Sequence, residues 1–400
     1  MGSARALILL AAGLASGSSC NRDPLANGVV DAGAAIPDSQ FSSVDLRREG
    51  ADLGVHNCAG GPIQFSQAAI QTVAPSPQAI SLTNLKGDGV IDAIVLGMGG
   101  ELDVAVSNGH GGFGTPVAFQ TTASGASLAI ADFDGDGLLD IATVPGPSIL
   151  FGGAGSSAFQ RSVHLSTPGY VATYLAAASL PHTGGMAGLI LGAEGTPAVE
   201  VMLNNGGTLG SVIQTPVAKV TESIAVTDLN HDGFPDIVVA EIDRVQVLLG
   251  SQTGFHSPQT VGTGEYLGFL CLGDLDGDGQ VDVAVPDVFA LAVLLYWGNG
   301  DGTFAAGTPI NLPSGPNHAI CVDLNCDGYS DLVTSNGQAS ASVLVSHGSN
   351  RSFSVAQTLR LAAGAMPWAL AAADLNGDVL PDVVVSDITN STITTFLQGL

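Results

Sequence analysis

Cations are scarce in this chain: Lys and Arg together number 10 against 36 Asp and Glu, a formal charge of −26 over 400 residues. After residue 60 only Lys86, Arg161, Lys219, Arg244, Arg351 and Arg360 remain, and they form no run. Phosphate binding needs clustered cations, so nucleic acid and anionic bilayer surfaces are excluded as partners. Long apolar runs are missing too. Past the first 20 residues no segment has 18 uninterrupted apolar residues, so no helix there is suited to cross a bilayer. Aromatics are few, at 5%. What is abundant is glycine, 54 residues, with a positive mean hydropathy. That composition belongs to many short apolar strands broken by glycine turns, not to a long helical protein.

The start, MGSARALILLAAGLASGSSC, has one early Arg, an apolar stretch from Ala6 to Ala15 and small residues before Cys20. It reads as a secretory signal over residues 1–19, too short to span a membrane as a mature helix. Cys20 follows small residues as the lipid-bearing cysteine of a bacterial lipoprotein does. This resemblance implies lipidation at Cys20 and a bacterial cell-surface or outer-membrane location. Gly17 stands where that signal carries an aliphatic residue, which leaves ordinary cleavage and secretion open. Residues 20–61 are rich in Asp, Ala, Gly and Ser and cannot bury enough surface to fold alone. As a flexible tether they would reach roughly 35 Å.

From residue 62 onward the chain repeats. NLKGDGVID at Asn84 is followed by DFDGDGLLD at Asp132, SLPHTGGMA at Ser179, DLNHDGFPD at Asp228, DLDGDGQVD at Asp274, DLNCDGYSD at Asp323 and DLNGDVLPD at Asp374. The steps are 48, 47, 49, 46, 49 and 51 residues, a period that indicates a solenoid, propeller or array. Each loop is preceded by alternating apolar residues, such as Ile80 and Leu82 or Ile224 and Val226, and followed by a β-branched run such as DIVVA. A third strand and a glycine turn such as GNGDGTF lead to a fourth strand headed by Phe113, Phe159, Leu209, Phe255, Phe304 or Phe353. Four-stranded sheets that are apolar on both faces must stack on one another.

The ends of the repeat region predict how the stack closes. Phe65 lies 19 residues before Asn84, as Phe113 lies 19 before Asp132, so the region opens with a fourth strand that has no first three. The C-terminus, SDITNSTITTFLQGL, stops after a third strand. Joining the two completes a seventh sheet and protects both edges. The expected fold is therefore all-β, a seven-bladed β-propeller over residues 62–400 with four antiparallel strands per blade.

In the loops, oxygen-bearing side chains at positions 1, 3, 5 and 9 form the donor set that calcium prefers, and Gly at position 6 allows a tight turn around an ion. A helix-loop-helix calcium hand does not fit, since position 12 of the second copy is Thr143 and the loop runs into a strand. Turn propensity alone accounts for Asp-Gly at positions 5 and 6 but not for the carboxylates at 1 and 9.

The recurrent DxDGDGxxD loop, in register with the GNGDGTF turn, resembles the FG-GAP or VCBS repeats of integrin alpha-chain propellers and of many bacterial surface proteins. The resemblance covers about residues 61–400 and implies calcium in the loops joining the first two strands of blades. Carried over residue by residue, it implies ligands at Asp132, Asp134, Asp136 and Asp140, and at Asp274, Asp276, Asp278 and Asp282. With an amide at position 3 it implies Asp228, Asn230, Asp232 and Asp236, and Asp323, Asn325, Asp327 and Asp331. A fifth set, Asp374, Asn376, Asp378 and Asp382, has Val379 in place of the glycine. The first copy has Lys86 among Asn84, Asp88 and Asp92, where the ammonium can take the place of an ion, and the third copy has no carboxylate. Five bound dications would bring the charge from −26 to about −16.

Nothing in the sequence assembles a catalytic set. The eight histidines fall at different phases of the repeat without helical metal spacing, and no helix follows GNGDGTF to make it a dinucleotide fingerprint. Some propellers of this repeat class are polysaccharide lyases, but dispersed cations offer no clamp for a uronate. The expected function is non-enzymatic recognition of a glycan or protein by a monomer, with a lyase or a pure scaffold as alternatives. The expected ligand face is the one opposite the calcium loops. There the links between blades supply Tyr170, Tyr266, His318 and Trp368, and the second-to-third-strand hairpins supply Asp243, Arg244, Asp287, Phe289 and Asp387. Trp368 and Tyr266 equally suit plugs of the central channel. Cys271 and Cys321 lie on neighbouring first strands and can face one another, and Cys58 with Cys326 is the favoured second pair.

Overall fold

The structure is a computed structural model. It describes Leu14–Ala15 and residues 63–399 apart from 122–126, 154–158, 160, 166–170, 181–185, 195 and 205. Most of the signal-like segment, Cys20, the tether, Cys58, Tyr170 and most of the third loop lie outside the described residues.

Seven sheets follow the seven repeats in order, each antiparallel within its blade, with Leu14–Ala15 paired parallel to Leu272 and Gly273 on the fifth. The innermost strands are Pro77–Thr83, Ser127–Ala131, Val171–Ser179, Thr221–Thr227, Cys271–Gly273, Pro316–Val322 and Pro367–Ala373. Second strands start at Asp92, Asp140, Ala187, Asp236, Asp282, Asp331 and Asp382, the ninth position of every loop. The six of these strands that start with Asp, for example DIVVAE or DVVVSD, are buried along their whole length. This is what β-branched runs do when both faces of a sheet are covered. The outer strand of blade 7 is Gln64–Thr72, which pairs antiparallel with Thr392–Gly399 from Gln64 opposite Gly399 to Thr72 opposite Thr392. The ring is thus closed by the first strand of the folded region, as the displaced repeat phase requires.

Two details differ from the repeat pattern. In blades 1, 2 and 4 the fourth strand begins after the conserved-phase phenylalanine, at Val117, Arg161 and Gln259, while Phe255 pairs in a small hairpin with Gly250–Ser251. Partly buried Phe113 and Phe255 pack against the large cluster formed by Ile80, Val95, Ile224 and Val239. Their rings therefore fill space between blades, and the ladder starts beyond them. The inner strands of blades 6 and 7 also start earlier than the apolar alternation suggests, at Pro316 and Pro367, which draws His318 and Trp368 into strands.

At the axis, the Tyr174 ring of blade 3 lies 6.3 Å from Phe269 of blade 5, and Phe269 lies 5.2 Å from His318 of blade 6. Trp368, from blade 7, belongs to the same buried cluster. Aromatics from four blades thus meet in the centre. A disulfide joins Cys271 to Cys321 across the inner strands of blades 5 and 6, with a Cα–Cα distance of 5.6 Å and both residues buried. Cys326 is exposed in the sixth loop.

Linking residues 50 apart removes chain entropy worth up to about 4 kcal/mol from the unfolded state. Replacing Cys271 and Cys321 together by Ser is expected to lower the guanidinium unfolding midpoint accordingly. An unchanged midpoint would show that the bond carries no stability.

Candidate functional site

The loops at one end of the propeller are built alike. Position 1 accepts backbone N–H groups from inside its own loop: Asp132 from Gly135 at 2.6 Å and Gly137 at 2.8 Å, Asp274 from Gly277 at 2.6 Å and Gly279 at 3.0 Å. Position 5 accepts from position 7, as in Asp136 from Leu138 at 2.8 Å and Asp278 from Gln280 at 2.9 Å. To bend this tightly the backbone is left-handed at both positions 4 and 6. Position 6 has φ of 83° at Gly137 and 84° at Gly233, and position 4 has 57° at His231 and 56° at Cys326. Val379 is held at φ 71°, and its N–H still reaches Asp374 at 2.9 Å. The fifth loop of the carboxylate set thus keeps its shape at the expense of a strained β-branched residue.

Position 9 does something the spacing did not reveal. In the five loops of the carboxylate set this aspartate is fully buried and braces two backbone amides. Asp140 accepts from Phe133 at 2.7 Å and Gly152 at 2.8 Å, Asp236 from Leu229 at 2.8 Å and Gly250 at 2.6 Å, and Asp282 from Leu275 at 2.8 Å and Gly298 at 2.7 Å. Asp331 and Asp382 repeat the pattern with Leu324 and Ser346, and with Leu375 and Gln398. One carboxylate thereby ties the loop to the end of the third strand. Burial pushes Asp140 and Asp236 up to about 6, and Asp282, Asp331 and Asp382 up to about 7, despite the amide bonds that favour the charged form.

In four of these loops the carbonyl of position 2 is claimed by the next blade. Ser346 donates its hydroxyl to Leu275 at 2.6 Å, Gln398 its amide to Leu324 at 2.8 Å, and Asn204 its amide to Phe133 at 2.8 Å. Gly111 donates its N–H to Leu375 at 3.0 Å. In blade 3, where position 9 is Ala187, the Asn204 amide also donates to the Ala187 carbonyl at 2.9 Å. Where the equivalent residue is Gly250 or Gly298, a Cβ would lie 2.2 Å from the carbonyl oxygen of Pro235 or Val281. Asn204, Ser346 and Gln398 were not singled out from sequence, because they share a place in the repeat but no residue type.

Positions 1, 3 and 5 are the groups left to hold a cation. In two loops, Asp132, Asp134 and Asp136, and Asp274, Asp276 and Asp278, three carboxylates present oxygens within 4.8 Å of one another. Asp134 Oδ1 is buried without a hydrogen-bond partner. Such a hard-oxygen set with an unsatisfied acceptor fits a divalent cation of the calcium type. The loops at Asp228, Asp323 and Asp374 present two carboxylates and the amides of Asn230, Asn325 and Asn376. In the first loop Lys86 Nζ lies 3.8 Å from buried Asp92.

Of the opposite face, four predicted ligand residues are structural instead. Asp287 is buried and accepts N–H groups from Glu265, Tyr266 and Ala290. Asp387 is buried and accepts those of Met366, Thr389 and Asn390. His318 Nδ1 accepts the Leu370 N–H at 3.2 Å, and Trp368 is buried at the axis. Short loops explain the difference: a carboxylate beside a tight hairpin is consumed by the amides the turn leaves unpaired. Four others do reach the surface. Phe289 is 67% exposed and stacks on Tyr266 with centroids 5.2 Å apart. Asp243 is ion-paired to Lys219 and, at 3.0 Å, to Arg244, which hold its carboxyl below the ordinary range. Backbone bonds from Gly264 to Asp243 and from Leu267 to Ile242 join the two groups into one patch over blades 4 and 5.

Two measurements test the loop chemistry. A buried acid with a raised folded pKa binds more protons folded than unfolded, so its contribution is present at low pH and lost as pH rises through about 6 to 7. In chelator the protein should melt higher at pH 5.5 than at pH 8, and a lower melting point at pH 5.5 would contradict the burial of position 9. Val379→Gly should raise stability by about 1 kcal/mol by relieving the left-handed strain, read as an increased urea midpoint.

Comparison with known proteins agrees with this architecture. The family described as FG-GAP-like repeat matches residues 84–143, 228–285 and 323–385, each span running through two consecutive loops and omitting the third, which has no carboxylate. No curated protein matches the sequence. Among solved structures, BBS1N in complex with ARL6DN, soaked with lead or with mercury, is similar at TM-score 0.62 and 12% identity, over 84% of this chain and 97% of that one. The Dos1 propeller is similar at TM-score 0.51 and 11% identity, over 79% of this chain and 78% of that one. With seven four-stranded blades in register with the matched repeats, the chain is an FG-GAP repeat β-propeller.

Proposed function

We propose that this protein is an exported, non-enzymatic recognition propeller that uses calcium in its loops for stability and binds a protein ligand on the opposite face. The exposed Phe289–Tyr266 pair carries this reading. Asp287 fixes its mount by accepting amides from both the link and the hairpin, so the rings are presented without further ordering. Leu291, 44% exposed, extends the apolar surface, and Arg244, Asp243 and Lys219 border it. A rigid aromatic anchor flanked by charges suits a protein partner better than a flat sugar platform alone. BBS1N, which shares the fold, is found in complex with a protein. The buried disulfide supports export, because such bonds persist in oxidising compartments. The consumption of Asp287 and Asp387 by backbone amides supports a surface without acid–base chemistry.

Arrays of purified proteins and of glycans, probed with the calcium-loaded chain, test the assignment. Phe289→Ala and Tyr266→Ala should each weaken a protein hit by tenfold or more and leave melting unchanged. Glycan hits alone, or binding lost only on loop-face substitutions that do not unfold the chain, would overturn it. For calcium, sites with affinity of roughly 10⁻⁴ M would each add about 1.4 kcal/mol at millimolar ion. Melting should rise accordingly, Asp278→Ala should lose part of the rise, and Asp88→Ala should not. Melting indifferent to chelator would remove calcium from the account.

A further inference from the structure

The five loops with carboxylates at positions 1, 5 and 9 and an oxygen donor at position 3 solve one electrostatic problem in two ways. Where position 3 is Asn, its amide donates to the position 5 carboxylate: Asn230 to Asp232 at 3.0 Å, Asn325 to Asp327 at 2.9 Å and Asn376 to Asp378 at 2.9 Å. Where position 3 is Asp, a guanidinium takes over. Arg161 Nη2 lies 3.1 Å from Asp134 Oδ2, and Arg351 Nε lies 2.6 Å from Asp276 Oδ2 with Nη2 3.6 Å from Asp278. Among the described residues, no Lys or Arg is ion-paired to the three Asn-type loops.

These two arginines come from unrelated places. Arg161 opens the fourth strand of its own blade and lies over the Phe151 ring at 3.7 Å. Arg351 belongs to the next blade, follows the short 3₁₀ turn Gly348–Asn350 in a left-handed conformation with φ 51°, and lies 5.1 Å over Trp297. Both converge on the same atom of the loop, the position 3 carboxylate. Each is also held from behind by an aromatic face, so neither is a chance surface contact.

We propose that Arg161 and Arg351 are resident counter-ions that lower the cation affinity of the two three-carboxylate loops, so that calcium fills the ring in two stages. The inference rests on the calcium reading above. A dication entering loop 2 or loop 5 meets a like charge within a few ångströms and must bind a position 3 carboxylate whose other oxygen, Oδ2, the guanidinium already holds. In the Asn-type loops it has only to turn an amide so that its oxygen faces the ion. The loops richest in carboxylate are therefore the last to fill, the reverse of what the count of aspartates suggests.

Calcium titration of the metal-free full chain, by calorimetry and by competition with a chromophoric chelator, tests this. The wild type should show three equivalents about tenfold tighter than two others. Arg351→Gln should move one weak equivalent into the tight class, and Arg161→Gln should do the same independently. Combining Arg351→Gln with Asp276→Asn recreates the side-chain set of blades 4 and 6 and should bind as they do. In chelator Arg351→Gln should melt lower, because buried Asp276 loses its partner, and calcium should restore the wild-type value. Weaker binding or a lost equivalent in the arginine variants would overturn the proposal, as would five equal sites insensitive to both substitutions. A wild type that binds no calcium overturns the calcium reading itself, a distinct result that takes this proposal with it.

Discussion

Everything at the loop end of this propeller depends on a buried carboxylate. At position 9 an aspartate sits out of solvent and holds two amides, one from its own loop and one from the end of the third strand. Neither amide has a strand partner, since the loop and the strand end are where the ladder stops. Left unpaired in the interior, each would cost about 1–3 kcal/mol. The carboxylate's own desolvation is the opposing term, and it registers as the raised pKa of these groups. In blade 3, where this residue is Ala187, the side chain of Asn204 instead donates to the Ala187 carbonyl, a tie of opposite polarity.

The brace connects to the rest of the ring through position 2. Its N–H goes to the aspartate, its side chain, Phe133, Leu229, Leu275, Leu324 or Leu375, to the core, and in all of these but Leu229 its carbonyl to the following blade. A single loop thus belongs to two blades. Ser346 shows the economy of the arrangement: its N–H bonds Asp331 of its own blade while its hydroxyl bonds Leu275 of the previous one. Cation binding at positions 1, 3 and 5 acts on loops already coupled in this way, so any order imposed on one loop is felt at a blade interface. Combined with closure by Gln64–Thr72, which completes the last blade, this makes the ring a cooperative unit.

The two ends of the molecule divide the work. At the loop end, acidic groups are bound up with backbone amides, with one another's amides and with guanidinium groups. At the other end the hairpins are tight, so Asp287 and Asp387 are likewise consumed, and what remains presentable is the aromatic pair and the charged cluster over blades 4 and 5. The hairpin between second and third strands of blade 5, carrying Phe289 and Leu291, is apolar where EIDR in blade 4 and DITN in blade 7 are polar. A feature that differs among otherwise equivalent positions is where individual function is to be sought in a repeat protein.

Period, strand alternation and the displaced phase of Phe65 were enough to give seven blades and the strand that closes them, because a β-branched run that is apolar on both faces has few ways to be buried. The oxygen donors at positions 1, 3 and 5 were legible for the same kind of reason: they lie within one tight loop, and local spacing fixes local geometry. Contacts between distant residues were not legible. The two amides that position 9 braces carry no signature in the sequence, Trp368 suited a surface and a channel plug equally, and His318 looked like a surface residue because only the assembled ring shows that four blades send aromatics to its axis. Arg161 and Arg351 stand at different phases of the repeat, 27 and 75 residues from the carboxylates they meet. The sequence determined the repeats and the chemistry available in each loop; the tertiary structure decided which charges face one another, since blade packing brings them together and no repeat encodes its neighbour.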